Sequence, residues 1–284
     1  MSKDILKQNE DLVIQVNNAL ELDRKIIGIK LFDSKKDYEA AEAQQLKGKI
    51  PYCVMVKSAM EGASIKAKKE NFGCPDGAVT LGIYDPMTEG YPGTEPGYFV
   101  SGKRYADPGV YKDLETAQKV MDKIIILEDR KYGVMLKPLE LYDEEPDTVM
   151  IVGDTYNTMR LIQGYTYEYG TFDNFRIAGN QAICSESTAY PLVNDNINMS
   201  VLCTGTRTNS EWKKSDLSLG MPYHMFKKVV NGLYQTINPL VRDVDKKKIE
   251  ENMKKTNQEI IEIEYGQNYD SEIYTFGEEK RRTF

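Results

Sequence analysis

The sequence predicts an α/β (or α+β) fold made of two similar halves. Apolar residues recur at helical spacing over residues 5–22, and an apolar run over 25–32 follows, which is typical of a helix leading into a strand. Similar patterns continue along the 284 residues. A content of 40% hydrophobic and 29% charged residues is ordinary for a globular protein, so neither a disordered nor a fibrous class is indicated.

The first half is expected to span residues 1–128. After the strand, the patterns predict a short polar helix over 36–49, a longer helix over 51–71, an ordered loop region rich in glycine, proline and tyrosine over 84–109, and a helix over 110–128. The helix over 51–71 is expected to begin near Pro51, because proline is favoured in the first helical turn.

The second half is expected to span 129–240 and to pack with the first half as one compact unit, followed by a helical extension and tail over 241–284. Within these segments the patterns predict strands over 132–142, 147–154 and 196–203, helices over 155–170, 181–193, 222–240 and 245–266, and a solvated tail over 278–284. Pro191 is expected to end the helix over 181–193, because proline interrupts helical hydrogen bonding.

The spacing of the cysteines indicates an internal duplication with pseudo-twofold symmetry. Cys53 precedes Cys74 by 21 positions, and Cys184 precedes Cys203 by 19 positions. Each pair begins on a predicted helix and ends just before a glycine turn. The two cysteine pairs would then face each other across the axis that relates the halves.

Charge and the absence of targeting patterns restrict the cellular setting. The net charge of −7 argues against a general binder of nucleic acid, which normally carries a basic face. The sequence shows no signal-peptide pattern, and no apolar run approaches the roughly 18 residues of a membrane helix. We therefore expect a cytoplasmic protein without a membrane partner, whose four thiols stay reduced.

Four cysteines are the strongest candidates for chemistry. Cys53, Cys74, Cys184 and Cys203 would provide a complete shell of thiolate ligands for an iron–sulfur cluster or a zinc ion. Their spacing contains no C-x-x-C unit, so tertiary folding would have to bring them together. Two alternatives stay open: the cysteines pack in the core, or one of them is a reactive thiol. Cys53 and Cys184 are predicted to lie in a first helical turn, where unpaired amides and the helix dipole would lower the pKa of a thiol.

Two further side chains are candidates for contact with a bound ligand or cofactor. Arg207 follows Cys203 by four residues and could bind a carboxylate or phosphate, although a salt bridge is the simpler role. Glu186 follows Cys184 by two residues and could act as an acid or base, although a carboxylate at a helix start is explained equally well by the helix dipole.

Five motifs carry a resemblance to a known family. They are "YCVMVKSAMEG", "FGCPDGAVTLG", "AICSESTAYPLV", "LCTGTR" and "LSLGMPY", and they occur in the order expected for the uncharacterised bacterial and archaeal family called domain of unknown function 169. The resemblance covers roughly residues 10–235 and implies that the four cysteines belong to the family's pattern. Its members resemble this chain in being soluble and are common in anaerobes, which would suit an oxygen-sensitive cluster.

The sequence therefore leads to three hypotheses. The first is a protein whose four cysteines bind an iron–sulfur cluster, most simply a four-iron four-sulfur one, for electron transfer or cluster-assisted chemistry on a small metabolite in an anaerobe. Its partner would be that metabolite or a redox protein, and self-association is left open. The second is a non-catalytic binding or assembly module in which tyrosine-rich loops form the pocket and the cysteines are structural. The third is a thiol enzyme.

Overall fold

The computed structural model describes residues 2–88, 93–259 and 261–266. Its central element is a mixed sheet in the order β2-β3-β4-β1-β5-β7-β6. The strands are β1 (Ile27–Phe32), β2 (Gln44–Gln45), β3 (Ile65–Lys68), β4 (Gly133–Pro138), β5 (Thr148–Gly153), β6 (Asn198–Ser200) and β7 (Leu217–Pro222). Strands β2 and β3 pair in parallel, and the other pairs described are antiparallel. The predicted tail over 278–284 lies outside the described residues.

Helices cover both faces of the sheet. They are α1 (Ser2–Leu20), α2 (Lys35–Ala40), α3 (Tyr52–Met60), α4 (Pro75–Thr80), α5 (Lys103–Ala106), α6 (Leu114–Met121), α7 (Thr155–Tyr169), α8 (Tyr190–Asn194), α9 (Thr204–Ser210), α10 (Tyr223–Gln235), α11 (Ile237–Leu240) and α12 (Asp243–Lys255). A π-helical segment, Ala182–Ala189, leads directly into α8. Segments of π-helix are rare and occur frequently at functional sites.

The alternation of side chains along each strand creates two apolar cores. On β5, Val149 and Ile151 face a core that also contains residues of α1, α7, α10 and α12. Met150 and Val152 face the opposite core, which contains residues of α3, α4 and the π-helical segment. This division follows from the two-residue period of a strand, which sends neighbouring side chains to opposite faces. The four cysteines lie at or near the starts of α3, α4, α9 and the π-helical segment, on the side of the sheet that holds this second core.

The α/β fold class is confirmed, but an internal duplication is not shown. Strand β4, from the predicted second half, lies between β3 and β1 of the first half, so the halves share one sheet. The division into residues 1–128, 129–240 and 241–284 stays a prediction.

Three predicted helices differ in kind from the structure. The helix predicted over 36–49 ends at Ala40 and is followed by β2. The helix predicted over 51–71 ends at Met60 and is followed by β3, whose buried residues pair with β4. The apolar residues after Met60 have helical spacing, but hydrogen bonding of this segment to β4 makes it a strand. The helix predicted over 181–193 is a π-helical segment followed by α8, and Pro191 lies in the first turn of α8 instead of ending a helix. A proline is tolerated there because first-turn amides have no helical partner.

Two glycines allow very close backbone packing. A Cβ atom at Gly220 on β7 would lie 1.9 Å from the carbonyl oxygen of Ser187, so the π-helical segment rests directly on the strand. A Cβ at Gly232 on α10 would lie 2.1 Å from the carbonyl oxygen of Gly164 on α7. These contacts set how closely the π-helical segment packs on β7 and how closely α10 packs on α7.

Among the helices of the described residues, none combines the length and the apolar character needed to cross a bilayer.

Candidate four-cysteine site

Each of the four cysteines stands at the start of a helical element. Cys53 is in the first turn of α3, after Pro51, and Cys184 is the third residue of the π-helical segment. Cys74 and Cys203 are the residues that cap α4 and α9. The sulfur of Cys203 accepts a hydrogen bond from the amide of Thr206 at 3.3 Å. Free amides at these positions can donate to sulfur.

Electrostatic interactions centred on Cys184 and Cys53 link the four thiols. A negative charge on the Cys184 thiolate would be repelled by thiolates at Cys203, Cys74 and Cys53. A thiolate at Cys53 would likewise repel thiolates at Cys203 and Cys74. The supporting elements are also in contact, since α3 packs against α9 and against the π-helical segment, which contacts α4. All four residues are free cysteines. Residues that are distant in sequence thus form one group, which we call the thiol cluster.

Burial keeps three of these thiols in the neutral form. It raises the pKa of Cys53, raises that of Cys74 to about 11, and holds that of Cys184 well above its usual value. For Cys74 the next contribution is the carboxylate of Asp76. The expectation that helix starts would lower the pKa of Cys53 and Cys184 is therefore wrong, because loss of solvation outweighs the favourable dipole.

Hydroxyl groups lie beside the sulfurs. Thr206 Oγ1 is 3.1 Å from the sulfur of Cys203. The hydroxyl of Ser210 is fully buried next to Cys53 and lowers the pKa of that thiol against the larger effect of burial. Within the described residues, this hydroxyl makes no hydrogen bond of normal geometry. A buried, unsatisfied hydroxyl costs about 1–3 kcal/mol, so its presence beside the thiols calls for an explanation.

Three of the six non-glycine residues with left-handed backbone conformation among the described residues lie beside the thiol cluster. Gln181, which precedes the π-helical segment, has φ of 50°, Leu202 before Cys203 has φ of 64°, and Glu211 after α9 has φ of 51°. Residues other than glycine rarely adopt these left-handed values, and a bulky leucine does so least readily. Strain of this kind persists where surrounding packing enforces it and is characteristic of functional sites.

A buried polar network adjoins Cys74 and Cys184. Gln181 accepts a hydrogen bond from Thr80 Oγ1 at 2.8 Å and donates to the hydroxyl of Tyr105 at 3.0 Å. That hydroxyl lies 3.5 Å from a carboxylate oxygen of Asp76. Asp76 in turn acts electrostatically on both thiols. The network holds the start of the π-helical segment against α4 and sets the position of Cys184 relative to Cys74.

Comparison with known families identifies what kind of chain carries this site. Residues 15–232 match the model of domain of unknown function 169, described as "Uncharacterised ArCR". The chain belongs to this family. The matched residues include all four cysteines, Asp76, Gln181 and Ser210. The thiol cluster is therefore built entirely within the family's domain.

A relative of this family member is an uncharacterized protein of Methanocaldococcus jannaschii. It is 25% identical over 217 residues, which cover 75% of this chain and 88% of the relative. No solved structure matches this chain significantly. These findings give the family and its extent, and the family itself has no assigned activity.

The two predicted ligand-contacting residues of this family member have internal partners. Arg207 on α9 donates to the carbonyl oxygens of Lys213 at 2.6 Å, Val201 at 2.7 Å and Asp216 at 2.9 Å. In this position it fixes the loop that follows α9. The contact of Arg207 with a cofactor or ligand stays a prediction.

Glu186 is buried in the π-helical segment, and burial raises the pKa of its carboxyl group. One oxygen accepts from the amides of Ala178 at 2.6 Å and Gly179 at 3.1 Å, and the other accepts from the hydroxyl of Ser200. Glu186 also lines a small pocket described below. Its contact with a ligand likewise stays a prediction.

Sequence reasoning missed three members of the site: Asp76, Gln181 and Ser210. Asp76 follows Cys74 by two residues and Gln181 precedes Cys184 by three, so closeness in sequence to a motif cysteine could have indicated both. Ser210 ends the helix that Cys203 begins, and no local signal distinguishes it from an exposed serine.

The placement of the potential ligand side chains bears on whether the thiol cluster binds a metal ion. Within the residues that the structure covers, no group of three or more histidine, cysteine, aspartate or glutamate side chains is arranged to hold a metal ion. Direct geometric support for metal coordination is thus lacking, and the assignment of Cys53, Cys74, Cys184 and Cys203 as metal ligands stays a prediction.

Proposed function

We propose that the thiol cluster binds an iron–sulfur cluster, most simply of the four-iron four-sulfur type, and serves electron transfer or chemistry on a small metabolite. The observation that carries the proposal is that four free thiols from four separate elements are linked electrostatically, with Cys184 interacting with each of the other three. Their supporting elements touch, and their charges would interact. Four cysteine thiolates are the usual ligand set of such a cluster.

The raised pKa values favour a cationic occupant over a thiol nucleophile. Burial keeps Cys74 and Cys184 neutral near pH 7, so neither is a ready thiolate for attack on a substrate. Iron, when bound, would supply the positive charge that makes deprotonation of these partly buried thiols favourable. The thiol-enzyme hypothesis has no comparable support.

A polynuclear cluster suits the arrangement better than a single ion does. A zinc ion holds sulfur at about 2.3 Å, so its four ligands must crowd together. No such group exists among the described residues. In a four-iron cluster the iron and sulfide atoms lie between the ligands, and the cysteine sulfurs are therefore farther apart. Thr206 and Ser210 would place hydroxyl donors beside the bound sulfurs, and such donors tune reduction potential.

The competing proposal is a binding or assembly module with structural cysteines. Cys53 and Cys184 pack against the apolar core on their side of the sheet, which favours this alternative. The module with structural cysteines gives no role to the unsatisfied hydroxyl of Ser210 or to the left-handed backbone of Leu202. The two proposals differ in whether replacing a cysteine removes a bound group or only stability.

The decisive experiment is purification without oxygen, followed by reconstitution with ferrous iron and sulfide and by iron and sulfide analysis. We expect about four irons and four sulfides per chain, with visible absorbance that dithionite bleaches. Each single Cys→Ser variant should lose iron and absorbance while keeping its far-ultraviolet circular dichroism.

The matched control is Ser210→Ala, which removes a hydroxyl beside the cluster and keeps all four ligands. It should retain the iron content and shift the reduction potential. Iron-free protein after reconstitution would refute the proposal, as would Cys→Ser variants that bind as much iron as the wild type. Variants that lose stability in the absence of any chromophore would support structural cysteines.

A further inference from the structure

A small apolar pocket adjoins the π-helical segment that carries Cys184. Its volume is about 220 Å³, and Ser185 and Glu186 form part of its wall. Val120 of α6 and the partly buried residues Ile124 and Ile125 provide most of the opposite wall. The segment thus contributes one residue to the thiol cluster and the next two residues to this pocket.

Positive charge surrounds the mouth of the pocket. Lys119, Lys123 and Arg176 line it and are exposed, whereas Glu186 is its one acidic lining residue. The carboxylate of Glu186 is buried and accepts hydrogen bonds from two backbone amides and one hydroxyl, so it is directed into the protein. Lys119 pairs with Glu115 at 2.6 Å, which leaves Lys123 and Arg176 as the cations available to an incoming anion.

The wall that carries Arg176 is held rigidly. The side chain of Asn198, fully buried on β6, accepts from the amide of Arg176 at 2.9 Å and donates to its carbonyl oxygen at 3.0 Å. The guanidinium group lies over the ring of Tyr190, 5.7 Å from its centroid. One of its nitrogens donates to the carbonyl oxygen of Lys123. A cation fixed in this way binds an anion with little further loss of conformational freedom.

Size and polarity restrict the ligand class. The volume corresponds to roughly seven waters at about 30 Å³ each, which is below the range of about 300–1,000 Å³ typical of drug-sized ligands. Aliphatic side chains on the wall select an apolar body, and the planar guanidinium of Arg176 suits a carboxylate.

We propose that this pocket binds a small monocarboxylate with an apolar body, whose carboxylate lies at Arg176 and whose hydrocarbon part lies against Val120, Ile124 and Ile125. In this arrangement Glu186 is a positioning residue, because it holds the amides of the wall and does not itself face the anion. The inference does not depend on what the thiol cluster binds.

Isothermal titration of the full-length protein with benzoate and with hexanoate tests the proposal. We expect saturable binding of one or both anions and at least tenfold weaker binding of benzyl alcohol, which keeps the ring and lacks the charge. Arg176→Gln and Lys123→Glu alter exposed side chains and should each weaken anion binding, the first by roughly tenfold or more.

Arg242→Gln is the matched control, because Arg242 is an exposed arginine that caps α12 and does not line the pocket. It should bind the anions like the wild type. The proposal is overturned if neither anion binds saturably, if benzyl alcohol binds as tightly as benzoate, or if Arg176→Gln and Lys123→Glu leave binding unchanged.

Discussion

Replacing Gly220 with alanine should destabilise the fold and disturb the thiol cluster at the same time. Gly220 pairs with Met150 on β5 and with Asn198 on β6, so its strand has a neighbour on each side. An added Cβ would lie 1.9 Å from the carbonyl oxygen of Ser187 and 2.6 Å from its carbonyl carbon. Both are backbone atoms, and no side-chain rotation can relieve the overlap.

The expected magnitude follows from the required displacement. Real Cβ atoms essentially never approach other heavy atoms closer than 3.0 Å, so the π-helical segment must move by about 1 Å. Overpacking of a core typically costs about 1–3 kcal/mol, and we expect the upper end because backbone must move. The same movement shifts Cys184, which lies three residues before Ser187.

Urea unfolding followed by circular dichroism measures the free energy of unfolding of Gly220→Ala, and mass spectrometry after iodoacetamide treatment measures the exposure of Cys184. We expect a loss of about 3 kcal/mol and faster alkylation of Cys184. Gly48→Ala is the matched control, because its Cβ would meet no atom within 4 Å, and its change should stay within about 0.5 kcal/mol. The reasoning is refuted if Gly220→Ala is as stable as Gly48→Ala.

Three further predictions concern buried groups. Tyr142→Phe removes a hydroxyl that donates to the carbonyl oxygens of Gly28 and Met135, and should lower the free energy of unfolding by about 1 kcal/mol in urea; an unchanged midpoint would contradict this. Because burial raises the pKa of Cys74 to about 11, its alkylation in iron-free protein, followed by mass spectrometry, should be slow near pH 7 and accelerate toward pH 11. Rapid labelling near pH 7 would instead favour a thiol enzyme. Burial raises the pKa of Glu186, so its contribution to stability is full below the unfolded value of about 4.5 and is lost as pH rises through the folded value. Urea unfolding should therefore show Glu186→Gln gaining stability relative to the wild type between pH 4.5 and pH 7, and a difference independent of pH would disprove the shift.

Local sequence patterns predicted several elements well. The helix predicted over 5–22 is α1, the strand within 25–32 is β1, and the helix over 155–170 is α7. In these segments the apolar period agrees with the final structure, because each element buries one continuous face. The prediction failed over 51–71, where β3 gains its hydrogen bonds from β4, a strand more than sixty positions away.

The candidate site shows the same division. Motif position singled out Cys53, Cys74, Cys184 and Cys203, and helix signals placed Cys53 and Cys184 near helix starts. The direction of a thiol's pKa shift could not be predicted from these local signals. Desolvation depends on which atoms surround a sulfur in three dimensions, and here it reverses the expected direction of the pKa shift for Cys53 and Cys184.

By itself, the sequence determined that this chain is a globular α/β protein with four cysteines in ordered motifs, two of them, Cys53 and Cys184, near helix starts. These properties depend on residues close together in the chain. Only the tertiary structure decided that Cys184 lies within electrostatic range of the other three thiols, that the buried hydroxyl of Ser210 lies beside Cys53, and that Arg176 lines an apolar pocket. Such contacts join segments far apart in sequence, and their geometry is set by the packing of the helices on one shared sheet.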